Sequence, residues 1–344
     1  MANFPDTLGN PIVCDMTLPQ GPAGSLETPN FDAAMIDRAK HGVTFTSVTI
    51  GSDELSISDT VRWIGTARRY FAAHPERYIF VESVRDIRAA HATGKTAVNL
   101  HFQGSNCLLG DLNLVEVYRR LGVGHMLLAY NYRNLVGDGC HETNDAGLSA
   151  FGKELIKEMN RVRMIVDLSH TGTRTAMDAI AESSQPVIVS HSNSRSVFDH
   201  ERNITDEVAR AVAATGGVIG VNGVGLFLSA ARRDISAAII AKHADYFGRL
   251  VGQRHVGIGL DSVPDLKHFV ENFGRKNMNR YRVGGYFSTQ APAFAGPDVI
   301  PEVAKELLAL GWSVEEVRGF LGENWLRVMD SIWQVGDSGV AVSG

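Results

Sequence analysis

From residue 11 to residue 321, short runs rich in Val, Ile and Leu alternate eight times with amphipathic stretches of helical period. The runs fall at 11–15, 43–50, 96–102, 125–130, 164–167, 186–190, 217–222 and 256–260. Helical patterns follow at 31–40, 58–74, 112–121, 149–161, 173–182, 205–214, 236–251, and finally at 301–310 with 314–321. Within the runs apolar residues do not alternate with polar ones, so each strand is expected to be covered by helices on both faces. Eight such units fold either as a closed (β/α)8 barrel or as an open doubly wound sheet. No Gly-x-Gly-x-x-Gly opens a helix after the first run, and polar residues crowd the C-terminal ends of many different strands. Both features favour the barrel, which gathers strand ends around one mouth. The expectation is an α/β fold, one TIM-type (β/α)8 barrel over residues 1–344, with long loops after the first and eighth strands.

Charge and composition narrow the partners. The chain has 33 Lys and Arg against 38 Asp and Glu, a net charge of −5. That excludes the strongly basic surface a nucleic-acid partner needs. Its apolar runs are a few residues long, too short to span a bilayer, and its first residues lack the basic start and apolar core of a secretory signal. Three cysteines (Cys14, Cys107, Cys140) form no Cys-x-x-Cys pair. A reduced cytoplasmic protein acting on a small molecule is the expectation, with Cys14 and Cys107 as packing residues.

The polar strand ends supply the candidate site. They carry Asp15 on the first strand, His101 and Gln103 on the third, and Tyr130 with Asn131 on the fourth. The fifth ends in Asp167-Leu168-Ser169-His170, the sixth in Ser190-His191-Ser192, the eighth in Asp261. Two histidines on consecutive strands with oxygen ligands nearby suit a Zn²⁺ ion with an open position for water. Such a metal-bound water could attack an amide or ester. Each residue also has a plainer reading. Asp15 and Asp261 could cap the turns that follow them. His101, one layer deeper than Gln103, fits a core hydrogen-bonder as well as a ligand. His141-Glu142, in a glycine-rich loop, reads as solvated surface.

Several segments together resemble the membrane (renal-type) dipeptidases, peptidase family M19. They are Gly147-Leu148-Ser149-Ala150-Phe151-Gly152-Lys153-Glu154, Val166-Asp167-Leu168-Ser169-His170, Pro186 to Ser192, His200-Glu201-Arg202-Asn203-Ile204-Thr205-Asp206, and Gly322-Glu323-Asn324-Trp325-Leu326-Arg327-Val328. The resemblance implies the barrel, a dipeptidase-like activity and two zinc ions. A first-strand His-x-Asp pair serves one metal, two later histidines serve the other, and a third-strand Glu bridges them. The later histidines correspond to His170 and His191, the arginine that grips the substrate carboxylate to Arg202, and an eighth-strand aspartate to Asp261. Three positions depart from the pattern. The first-strand pair falls on Asp15 and Thr17, the bridging Glu on Gln103, and a fourth-strand active-site His on Tyr130. Two dications about 4 Å apart repel by ~16 kcal/mol at an effective dielectric of 20, so loss of the bridging charge argues against a dinuclear centre.

One zinc ion or weak metal binding is therefore expected, on His170 and His191 with Gln103 or Asp15 as weaker ligands. Asp261 then serves as ligand or as general base, Tyr130 as donor to an oxyanion, and Arg202 with Asn131 as substrate contacts. Arg202 reads alternatively as half of a surface ion pair. The alternatives are a metal-free enzyme in the same mouth or a non-catalytic small-molecule binding protein. The resemblance also implies homodimers, for which Trp312, Trp325 and Trp333 are either an interface patch or packing under the barrel. The basic loop 265–295, with Lys267, Arg275, Lys276, Arg280 and Arg282, is expected to overhang the mouth.

Overall fold

A computed structural model describes residues 3–19, 29–263 and 292–333, together with Lys267 and Glu271. The strands are β1 (Cys14–Leu18), β2 (Phe45–Ser52), β3 (Tyr78–Phe80), β4 (Thr96–Gln103), β5 (Val123–Leu127), β6 (Ile165–Asp167), β7 (Val189–Ser192), β8 (Ile219–Val221) and β9 (Val256–Ile258). They run parallel in the order β6-β5-β4-β2-β1-β9-β8-β7, and a parallel bridge from Asp167 to Ile188 joins the two ends. That is the expected eight-stranded barrel. The ninth strand, β3, takes the edge of β4 at Thr96–Val98, and β5 takes the same edge further along at Leu100–Phe102. Sequence periodicity missed β3 because three residues are too few to show a period. The helix after it, Val84–Ala92, was missed too, although its capping box of Ser83 and Asp86 is a legible start signal. The loop 265–295 lies largely outside the described residues.

The base of the lumen is apolar. Cys14, Met16, Phe45, Ala97, Ile165, Ile188 and Val218 pack there with Trp325 of the helix Asn324–Trp333. Trp325 donates its indole N–H to the Ile258 carbonyl at 3.1 Å. Gly257 makes room for it, since a Cβ there would come within 2.3 Å of the indole nitrogen. Trp312, Trp325 and Trp333 are all buried. They are packing residues, and the interface patch they could have formed is not on the surface.

Above that plug the lumen turns polar, with Ser47, Asn99, His101, His125 and Asp167 in place of the branched apolar residues usual in such barrels. A bulge in β1 decides which of its residues join them. Asp15 is level with Thr46, yet Leu18 is level with Val48, so three residues of β1 oppose two of β2. Asp15 and Leu18 consequently share the helix-facing side with Thr46 and Val48, while Thr17 turns into the lumen. Outside the sheet Asp15 is ion-paired with Arg38 of the helix Pro29–Lys40, and both are buried.

Candidate active site

The site begins with Asp167 at the end of β6. Its Oδ1 accepts the backbone N–H of Ser169 and of Ser190, each at 3.0 Å, tying the ends of β6 and β7 together. Ser169 Oγ accepts the His191 N–H at 3.0 Å. These bonds bring His170 Nε2 to 3.0 Å from His191 Nε2. Asn131 Oδ1 lies 2.7 Å from His170 Nδ1, and an amide oxygen only accepts, so the ring's hydrogen sits on Nδ1 and Nε2 is a bare lone pair. His191 Nδ1 lies 2.7 Å from Ser190 Oγ and 3.0 Å from Thr17 Oγ1. Burial, and then the positive charge of Arg202, push both imidazoles well below their ordinary range, so both rings are neutral at pH 7. The Tyr130 ring is stacked on His170 at 4.2 Å.

Arg202 is buried, not a surface ion pair. It donates to the His191 carbonyl at 2.8 Å and to Ser192 Oγ at 3.4 Å. Its Nε is buried without a hydrogen-bond partner, and no described carboxylate lies within ion-pair distance. A buried guanidinium with no counter-charge is costly unless an anion completes it. Beside it a cavity of about 310 Å³ is lined in part by Cys140, His170, Thr171, Arg195, Glu201 and Arg202. Asp261 follows β9 in a left-handed conformation, φ 58°, and accepts from Asn222 Nδ2 at 3.2 Å. Desolvation pushes its carboxyl up to about 7, against the opposing pull of Arg202 and Asn222. It caps no turn among the described residues and is poised to exchange a proton near neutral pH.

Other expected site residues are placed differently. Asp15 is turned away from the histidines by the β1 bulge, with one oxygen on Arg38 and the other accepting the Leu260 N–H at 2.9 Å. Asn131 is buried and holds the His170 ring, so it orients an imidazole where a substrate contact was expected. Gln103 stands at the end of β4 with Nε2 3.3 Å from Thr49 Oγ1. His101 takes the core reading, between Ser47 Oγ at 3.0 Å and Thr49 Oγ1 at 2.9 Å. His141 is buried, not solvated, with Nδ1 3.4 Å from Glu201 Oε1.

Three contributors escaped the sequence reading. Asp53, just beyond β2, accepts the N–H of Ser105 at 2.9 Å, of Asn106 at 3.0 Å and of Tyr130 at 2.9 Å, binding the loops after β2, β4 and β5 into one rim. An acid one residue past a strand end was the available signal. His125, level with His101, meets Asp167 Oδ2 at 3.0 Å. Thr17 was read only as a lost acid, although its hydroxyl supports His191.

The donors at the mouth match only part of the two-metal set that the resemblance implies. The His170 Nε2 lone pair accepts the His191 Nε2 hydrogen. With that hydrogen lost both atoms, 3.0 Å apart, are close enough to reach one cation at the usual ~2.0–2.1 Å Zn–N distance. Among the described residues no three of His, Cys, Asp and Glu cluster to hold a metal ion. A dinuclear set does not fit; a two-imidazole half-site does.

The sequence pattern of the membrane dipeptidases, peptidase family M19, matches residues 23–273. The chain belongs to that family. This M19 chain is 28% identical over 287 residues to dipeptidase aclJ of Aspergillus oryzae, covering 82% of itself and 63% of that protein. It is 31% identical over 282 residues to an uncharacterized dipeptidase of Schizosaccharomyces pombe, covering 79% of itself and 62% of the relative. It thus spans under two thirds of the length of these relatives. An amidohydrolase from Pseudomonas aeruginosa superposes with a TM-score of 0.85 at 30% identity, over 95% of this chain and 98% of that one. A Rhodobacter sphaeroides metallopeptidase, liganded with a phosphinate mimic of L-Ala-D-Ala, shares the fold at 20% identity and TM-score 0.67, over 95% of this chain and 88% of that one. Among the described residues no helix is long and apolar enough to cross a membrane.

Proposed function

We propose that this M19 chain hydrolyses an amide or peptide bond in a small molecule that carries a carboxylate. The observation that carries the reading is Arg202, buried beside the paired histidines and without a counter-anion among the described residues. A substrate carboxylate would complete its hydrogen bonding and charge together. Asp261, with its carboxyl pushed up to about 7, takes a proton from the attacking water. The water oxygen bonds to the scissile carbonyl carbon, the C–N bond then breaks, and the same proton passes to the departing amine. Tyr130, held flat on His170, is the donor assigned to the developing oxyanion. His170 and His191 are the residues that would hold one zinc ion, which when bound would polarise the scissile carbonyl.

The missing third ligand favours a second reading, a metal-free hydrolase using Asp261 and Tyr130 alone. Metal analysis of protein purified without chelator separates the two. Close to one equivalent of zinc, lost in both His170→Ala and His191→Ala, supports the first; less than about a tenth of an equivalent after supplementation removes it. A turnover screen across dipeptides, N-acyl amino acids and lactams tests hydrolysis itself, and a fully inactive protein in both metal states would sink it.

A further inference from the structure

A single hydrogen-bonded chain runs along one side of the lumen, over the neighbouring strands β6, β5, β2 and β4. Asp167 Oδ2 meets His125 Nδ1 at 3.0 Å, and His125 Nε2 meets Ser47 Oγ at 3.1 Å. Ser47 Oγ meets His101 Nδ1 at 3.0 Å, and His101 Nε2 meets Thr49 Oγ1 at 2.9 Å. Thr49 Oγ1 then meets Gln103 Nε2 at 3.3 Å. The two imidazoles stack face to face, 4.5 Å apart and 8° from parallel, and all six residues are buried.

With one proton on each ring, the direction of every bond follows from the end that has no choice. A carboxylate only accepts, so His125 carries its hydrogen on Nδ1 and offers Nε2 as an acceptor. Ser47 donates to that nitrogen and must accept from His101 Nδ1–H. His101 Nε2 then takes the Thr49 hydroxyl hydrogen, and the Thr49 oxygen is left needing a donor. An amide at position 103 supplies one; the carboxylate of a glutamate does not. Gln103 has no other hydrogen bond among the described residues, so its carbonyl oxygen is left over on the far edge of the amide from Thr49.

We propose that this chain fixes the Gln103 amide with its N–H inward and its carbonyl oxygen toward the mouth, making Gln103 a specificity residue that accepts a neutral N–H of the substrate. The inference deepens the hydrolase reading and rests on it for the substrate half alone. Gln103 supplies a neutral oxygen where a glutamate would supply a charge, and the fixed cation of the site, Arg202, sits against the His191 carbonyl. A free ammonium group therefore gains no ionic partner here, whereas the amide N–H that both substrate classes carry needs only a neutral acceptor. The favoured class is therefore N-acylated amino acids over free dipeptides.

The first experiment needs neither substrate nor metal. Long-range ¹H–¹⁵N spectra of ¹⁵N-histidine-labelled full-length protein at pH 7 report the tautomer of each ring. Assignment uses Ser47→Ala and Thr49→Val, the second being nearly isosteric. The expected result is Nδ1–H on both His101 and His125. Either ring protonated on Nε2, alone or in addition, reverses the chain and overturns the proposal. The second compares kcat/KM for an N-acetyl amino acid amide-bond substrate with that for a free dipeptide of matching side chain. A preference of about tenfold or more for the acylated compound, reversed in Gln103→Glu, is expected. Equal rates, or a preference for the free dipeptide, overturn the substrate assignment. Absence of turnover on both counts against the hydrolase reading and leaves the tautomer result to decide the orientation of Gln103.

Discussion

Asp261 joins three properties in one residue: a left-handed backbone, a single described hydrogen-bond partner in Asn222, and a carboxyl raised to about 7. Because the folded-state value lies above that of an unfolded aspartate, the native protein binds this proton more tightly between about pH 4 and 7. The stability contributed is present below pH 4 and is lost as pH rises to about 7. Asp261→Asn should then raise the melting temperature at pH 8 more than at pH 5, while turnover falls by at least a hundredfold. In the unaltered protein kcat/KM should drop as pH falls through about 7, where the base becomes protonated. A melting temperature unchanged at both pH values would show that the carboxyl is not desolvated. Arg202 makes a complementary test. Arg202→Lys keeps the charge but loses the guanidinium fork, so KM for a carboxylate substrate should rise tenfold or more with kcat less affected. An amidated substrate should feel that substitution far less.

Elements, not single side chains, decide which strand residues reach the mouth. The bulge in β1 sends Asp15 outward to Arg38 and brings Thr17 inward to His191. The buried Arg38 also donates to Thr46 Oγ1 at 3.2 Å and Ser262 Oγ at 2.7 Å, so it fastens the helix Pro29–Lys40 to β2 and to the residue after Asp261. Burial pulls its guanidinium down to about 9, yet it stays charged at neutral pH. Arg38→Met strands a buried carboxylate and should cost about 3–5 kcal/mol in denaturant unfolding. Adding Asp15→Asn should recover a substantial part, and no recovery in the double variant would mean the two do not form a unit. Asp53 acts at the same scale, since its backbone bonds gather three loops behind Tyr130. Asp53→Ala leaves those N–H groups unpaired, so it should loosen the rim and raise amide exchange at Ser105, Asn106 and Tyr130 before the barrel itself is affected.

At the scale of the whole molecule the barrel is a polar chamber closed below by Trp325, with the paired histidines at the strand ends above. Trp325→Ala removes the plug that Gly257 accommodates and should cost about 3–5 kcal/mol with little change in KM. The alternation of apolar runs and amphipathic helices determined the eight strands, because strand burial and helix period are local properties of the chain. His170, His191 and Asp261 were expected at the mouth for the same reason: a barrel delivers every C-terminal strand end to one place. Arg202, which lies past β7, was legible only through the resemblance to the M19 family. Tertiary structure alone decided the rest. Whether Asp15 or Thr17 faces the lumen depends on a one-residue slip against β2, and parity read from the sequence cannot register a slip. That Asn131 steers an imidazole, and that His125 and His101 join Asp167 to Gln103, depends on which side chains of neighbouring strands share a layer. Hydrogen-bond partners chosen between neighbouring strands follow from the register of the assembled sheet, and register is a property no single segment carries.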